Sequence, residues 1–209
     1  MKALLSTTYF GPVQWYQKLY RHEEVQIEQW ESFLKQTYRN RCLIATTQGV
    51  QALTVPVERG TSQQIRDIRI SDHGNWRHLH WNALMSAYGE SPFFEYYQDD
   101  IRPFFEGRWV YLFDFNEAIR EKMCELLDIQ PKVTFSSTYH HPADISLTSH
   151  LLPLTSDYRE AINPKHPQPD PDFEPKPYYQ VYQQKHGFLP NLSILDLLFN
   201  MGPESIFYL

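Results

Sequence analysis

The chain has 209 residues, 42% of them hydrophobic and 15% aromatic, enough for one sizeable core, so one domain over 1–209 is the expectation. A formal charge of −6 excludes broad, sequence-independent nucleic-acid binding, which needs a basic face to displace counterions. Two cysteines, Cys42 and Cys124, exclude a disulfide framework or a Cys-x-x-Cys zinc site; with no apolar window long enough for a signal peptide or a membrane span, the protein reads as cytoplasmic.

Ala3–Leu5 reads as a short buried strand, followed by a loop through Ser6-Thr7-Thr8-Tyr9 in which Pro12 can open a helix. Trp15, Leu19 and Tyr20 are expected to face inward from that helix. Glu24–Glu28 alternates and predicts a second strand, so the chain starts with a strand, helix, strand unit and a parallel pair. Residues 35–46 read as extended, turn at Thr47-Gln48-Gly49 and return antiparallel over 52–57, with Pro56 at an edge or strand end. A further strand is expected over 65–70.

From Asp72 the period becomes helical, and Trp76, Leu79, His80, Ala83 and Ala87 share one face. Ser91-Pro92 is a cap and first-turn proline for an aromatic helix that Pro103 breaks or kinks. Trp109, Leu112, Phe113, Asn116, Ile119, Met123 and Leu126 keep helical spacing, with a strand over 109–115 as the competing reading. Residues 132–136 are strand-like. Between 138 and 177 periodicity fades into a proline-rich loop. Asn191 or Ser193 can cap a last helix, Ser193 with Asp196 three residues on in the manner of a capping box, and Gly202-Pro203 stops it.

Four groups could carry chemistry. If residues 35–46 are a regular strand, Lys35, Arg39 and Arg41 lie on one side, as an anion pocket or as a solvated face balanced by Glu28 and Glu31. The same alternation puts Asn40 on the opposite side from Arg41. His78 and His80 lie about 200° apart on a helix and cannot clasp one ion, so no metal site is expected. Asp99, Asp100 and Asp114 read as solvated helix charges, and Cys42 falls with Ile44 on the core side. Neither a phosphate-loop glycine pattern nor a dinucleotide fingerprint occurs, and no cofactor can be named.

Five collinear stretches resemble the WbqC-like family of bacterial proteins. They are Phe33–Ile44; Leu53-Thr54-Val55-Pro56-Val57; Asn75-Trp76-Arg77 with His80 and Tyr88; Tyr179-Gln180; and Phe188–Pro203. Where many members carry His-Gln-Pro after the first strand, this chain has Ser6-Thr7-Thr8, and its proline-rich loop replaces a Gly-rich segment of longer members. The resemblance implies a place in surface-polysaccharide (O-antigen) synthesis and a transferase acting on an amino sugar or sugar nucleotide, or a non-catalytic ligand-binding protein of that pathway. It favours a phosphorylated or carboxylated small-molecule ligand. Lys35 and Arg41 would hold its anionic group, Asn40 and Gln180 would orient polar groups, His80 would be the general base, and Tyr9 and Trp15 would form a stacking wall. The fold expected is α/β: a mixed sheet, with a parallel start and an antiparallel hairpin, covered by helices.

Overall fold

Four short strands form a parallel sheet: β1 (Lys2–Ser6), β2 (Glu24–Glu28), β5 (Val133–Phe135) and β6 (Thr155–Asp157), in the spatial order β5-β2-β1-β6. The structure, a computed structural model, describes residues 2–58, 60, 63–141 and 155–209. Ala3, Leu4 and Leu5 are fully buried because β1 is an inner strand covered on both faces, which is why it reads as an uninterrupted apolar run. From β1 the chain steps outward to β2 and then to β5, and β6 returns to the other side of β1. Strand order therefore reverses between β1 and β6.

The β1 to β2 crossover is α1 (Val13–Arg21), and Trp15 and Leu19 are buried as expected, whereas Tyr20 is exposed. Lys18 lies on the same helix, almost wholly inaccessible, and is held by Asp170 at 2.8 Å and by the Tyr158 ring at 4.4 Å. Asp170 also accepts from Gln14, so the proline-rich loop is pinned onto α1 by a buried ion pair. That loop was expected over 138–177, but it contains β6; Thr-Ser-Asp has no apolar side chain to announce a strand. Residues 142–154 of it lie outside the described residues.

The hairpin β3 (Arg41–Thr46) and β4 (Gly49–Thr54) is antiparallel as expected and stands as its own two-stranded ribbon beside the parallel sheet. Its first strand is six residues shorter than the sequence suggests. Residues 35–40 are turns, with Gln36 at φ 61°, and the Tyr38 carbonyl accepts from Tyr9 N–H, tying this segment to the loop after β1. Of residues 65–70, Ile65–Asp67 form a 3₁₀ turn, with Ile65 and Ile68 both buried at a spacing of three, and Arg69 and Ile70 make isolated antiparallel bridges to Tyr111 and Val57 in place of a continuous strand.

Helices cover the rest: α2 (Trp76–Tyr88), α3 (Phe94–Ile101), α4 (Pro103–Glu106), α5 (Leu112–Leu126), α6 (Gln183–His186) and α7 (Ile194–Met201), followed by a 3₁₀ helix (Gly202–Tyr208). Pro103 separates α3 from α4 as a proline should. His80 points inward from α2 as predicted, while Leu79 is 63% exposed. Ser193 caps α7, its hydroxyl accepting from Leu195 N–H. Asp196 does not complete a capping box and is consumed elsewhere, as described below. Gly202 sits at φ 54° against Phe93, where a Cβ would lie 2.5 Å from the ring. No helix among the described residues is long and apolar enough to cross a membrane.

Candidate functional site

Parallel strands all end at one edge, and the carboxyl edge of this sheet collects Ser6 from β1, Glu28 from β2, Ser136 after β5 and Asp157 from β6. In open α/β sheets ligands bind in the crevice at this edge, where strand order reverses. Here that position lies between β1 and β6. It is a narrow crevice walled by Ser6, Thr8, Trp15, Tyr38, Arg39 and Arg159, closed down to about 10 Å³, room for about one water. Thr8 Oγ1 is buried there with no hydrogen-bond partner. Gly11 makes this packing possible, since a Cβ on it would lie 2.4 Å from that oxygen.

Glu28 is fully buried and accepts on both oxygens. Oε1 takes Ser136 Oγ at 2.6 Å and Trp30 N at 2.9 Å; Oε2 takes His140 N and His140 Nδ1, each at 3.0 Å. Burial pushes this carboxyl up, but the hydrogen bonds from Ser136, Trp30 and His140 outweigh it and hold the group below the usual carboxylate range. An ionised carboxylate can only accept, so Nδ1 of His140 carries the hydrogen and Nε2 is the basic nitrogen of a ring whose side chain is 35% exposed. The pair has the orientation of a carboxylate that fixes a histidine tautomer.

Two buried guanidiniums complete the edge. Arg39 makes a bidentate pair with Glu31 at 2.8 and 2.5 Å and also donates to Ser6 Oγ. Arg159 pairs with Asp157 at 2.7 Å, donates to the His140 carbonyl at 2.9 Å and lies 3.9 Å from Glu28. Three carboxylates (Glu28, Glu31, Asp157) thus face two guanidiniums, one negative charge in excess. Across the sheet end, Thr7 donates to Glu117 at 3.5 Å, and Glu117 in turn lines an open cleft of about 490 Å³ beside β2 and β5. Phe113 and Phe135, with centroids 5.7 Å apart, wall that cleft together with Arg66, Tyr111 and Asp114. Burial raises the Glu117 carboxyl, and Arg120 at 2.7 Å opposes the rise.

The residues singled out in the sequence separate. Lys35 is exposed, so the alternation that would join it to Arg39 and Arg41 does not apply. Arg39 is the buried partner of Glu31. Arg41 Nε donates to Thr54 Oγ1 at 3.0 Å. Asn40 faces inward and uses Nδ2 to hold the Val55 carbonyl at 2.8 Å. Tyr9 and His80 do come together: Tyr9 is fully buried, with its hydroxyl 2.9 Å from His80 Nδ1. Burial lowers His80 to about 4, opposed by a ring hydrogen bond to the Thr54 backbone, so the imidazole is neutral at neutral pH. Gln180 is buried with its amide spent on Asp196 at 2.8 Å and on the Leu189 backbone. Of the whole set, Trp15 and Arg39 line the β1/β6 crevice, Trp15 with its indole N–H donating to the Ser6 carbonyl.

Asp196 explains Gln180. Its carboxylate accepts from Tyr88 at 2.9 Å, Tyr178 at 2.7 Å and Gln180, wholly inside the protein. Burial raises its pKa, and these three donors oppose the rise. Among the described residues no cluster of three or more metal-ligating groups occurs. Sequence reading missed Glu28 and His140 because one closed an amphipathic strand and the other lay in an aperiodic loop. The one available signal was Glu28 itself, a charge at the end of a strand whose alternation put Val25 and Ile27 inside.

The WbqC-like protein family matches residues 7–208. An uncharacterized protein of Mycobacterium tuberculosis is 31% identical over 195 residues, covering 85% of this chain and 83% of its own length. No solved structure matches. The family match spans nearly the whole chain, from the loop that leaves β1 to the last 3₁₀ helix, and on that ground the protein belongs to the WbqC-like family.

Proposed function

We propose that this protein is a transferase acting on an amino sugar or sugar nucleotide in surface-polysaccharide synthesis, with its chemistry at the carboxyl edge of the parallel sheet. The observation that carries the reading is the Glu28–His140 pair, 3.0 Å apart, beside the point where strand order reverses. His140 Nε2 accepts the proton of the acceptor's amino or hydroxyl group as that group attacks the donor. The donor's bond to its leaving group breaks with the electron pair departing on that group, and Glu28 stabilises the resulting imidazolium, which then returns its proton to the leaving group or to water. The sugar ring sits in the open cleft against Phe113 and Phe135, near Asp114 and Glu117. The carboxylate excess along this edge favours an amino-bearing or hydroxyl-rich ligand, so the phosphates of any nucleotide donor point away from it.

Incubation with nucleotide-sugar donors and amino-sugar acceptors, read by mass spectrometry, tests this. Turnover is expected to fall about 10²-fold or more in His140→Gln, with the melting temperature close to wild type because the ring is partly exposed. A His140→Gln protein that turns over at the wild-type rate overturns the reading. The closed β1/β6 crevice, whose guanidiniums are already paired, favours a second reading as a ligand-binding protein without turnover. Thermal stabilisation by a sugar without product would select it.

A further inference from the structure

The β3–β4 ribbon has its β3 edge occupied, while its β4 edge is engaged at Thr54, whose backbone meets the His80 ring, and open at Val50 and Ala52. On β3, the Leu43 carbonyl accepts from Ser193 N–H at 2.8 Å, and Ala45 N–H donates to the Tyr88 hydroxyl at 3.2 Å. These groups point away from β4, so Leu43–Ala52 and Ala45–Val50 are the non-hydrogen-bonded pairs of the ladder. It follows that Val50 and Ala52 direct their N–H and C=O groups away from β3. No hydrogen bond among the described residues uses them, and residues 50–52 are exposed.

Residues 46–52 of the ribbon and α2 enclose an open cleft of about 530 Å³, with Val50, Gln51 and Ala52 on the ribbon side, Ala83, Ser86 and Ala87 on the helix side and Tyr182 also lining it. Both walls are uncharged. At the hairpin turn, Lys185 Nζ donates to the Thr47 carbonyl at 2.7 Å and has no carboxylate partner among the described residues. A purely apolar ligand would desolvate the strand edge without replacing its hydrogen bonds. What fits is a ligand with alternating donors and acceptors every two residues, about 6.8 Å apart, lying some 4.8 Å from β4. The small helix residues leave room for a backbone there.

We propose that this cleft binds an extended peptide segment of a partner protein by strand addition to β4, with a carboxylate of that segment against Lys185. The carboxylate is either an acidic side chain or the chain terminus. The site is separate from the carboxyl edge of the parallel sheet and does not depend on the proposed activity.

Fluorescein-labelled seven-residue peptides of alternating Val and Thr serve as probes, in three forms: free terminal carboxylate, amidated, and amidated with an internal Asp. Fluorescence anisotropy is expected to show saturable binding by at least one carboxylate-bearing form and at least fivefold weaker binding by the amidated peptide without Asp. The two carboxylate forms distinguish terminus from side chain. Lys185→Ala should erase that difference, and hydrogen exchange at the Val50 and Ala52 amides should slow on binding. Ala52→Pro removes an N–H that the hairpin does not use and is expected to weaken binding at least tenfold. N-methylation of the probe at alternate amides gives a check that leaves the protein unaltered: one register must abolish binding and the other must not. Absence of binding by every form, equal behaviour of the two N-methylated registers, or a neutral oligosaccharide occupying the cleft in their place overturns the proposal.

Discussion

Asp196 and Glu28 are the same kind of group, both fully buried, in two regions that use them in opposite ways. Asp196 sits where α7 meets α2 and the loop around Tyr178, enclosed by two phenols and an amide that all point at it. Its pKa is raised, so burial outweighs those donors. Glu28 ends a strand at the edge of the sheet, where charge-assisted partners and backbone N–H groups hold its pKa down. One carboxylate closes a scaffold; the other presents a histidine to solvent. The two histidines repeat the contrast, since His80 is buried against Tyr9 and lowered to about 4, while the His140 side chain is partly exposed.

The strongest way to break this comparison is Asp196→Ala. It strands the Tyr88 and Tyr178 hydroxyls and the Gln180 amide, and should cost about 3–5 kcal/mol in urea unfolding, with activity retained in whatever fraction stays folded. His140→Gln should do the reverse, losing turnover and little stability. If the two variants lower the melting temperature equally, the regions do not differ as argued.

Next in size is a pH effect from His80. Its folded pKa of about 4 lies below the unfolded value near 6.5, so the unfolded chain binds more protons between those values. Its contribution to stability is complete above pH 6.5 and declines as pH falls through 4, by about 3–4 kcal/mol at most. Urea midpoints measured from pH 7 to 4.5 should therefore fall more steeply for wild type than for His80→Gln. Coincident slopes would show that the imidazole is not sealed.

The smallest effect is expected at Thr8. Replacing an unpartnered buried hydroxyl with a methyl in Thr8→Val should leave stability unchanged or raise it by up to about 1 kcal/mol. A destabilised Thr8→Val would mean the oxygen has a partner and the crevice is a filled part of the core.

Much of the fold was legible where the determinants are local. The Ala-Leu-Leu run of β1, the alternation of β2, the Thr47-Gln48-Gly49 turn, the break at Pro103 and the Ser193 cap each depend on neighbours within about one turn or one hairpin. Three readings failed for an identifiable reason. Residues 35–40 looked extended by alternation, but a backbone bond to Tyr9 made them a turn. Residues 65–70 looked like a strand by composition, while Ile65 and Ile68 are buried at a spacing of three and Arg69 and Ile70 make only isolated bridges. β6 has no apolar signal because its place is decided by pairing with β1.

The candidate site was mostly illegible. The positive cluster of Lys35, Arg39 and Arg41 stood out because charge is visible in sequence, but the structure sends each to a different partner or to solvent. Glu28 and His140 stand 112 residues apart, and only the parallel registers of β1, β2 and β5 bring the loop after β5 over the end of β2. By itself the sequence determined the parallel start, the hairpin, the Ser193 cap and the resemblance, because each rests on short-range periodicity or an ordered set of motifs; Ser91 does not cap the helix that follows it, which starts at Phe94 with Phe93 as its N-cap. Which carboxylate is sealed and which is open was decided by tertiary structure alone, because desolvation and hydrogen-bond partners are set by what the rest of the chain places around a group.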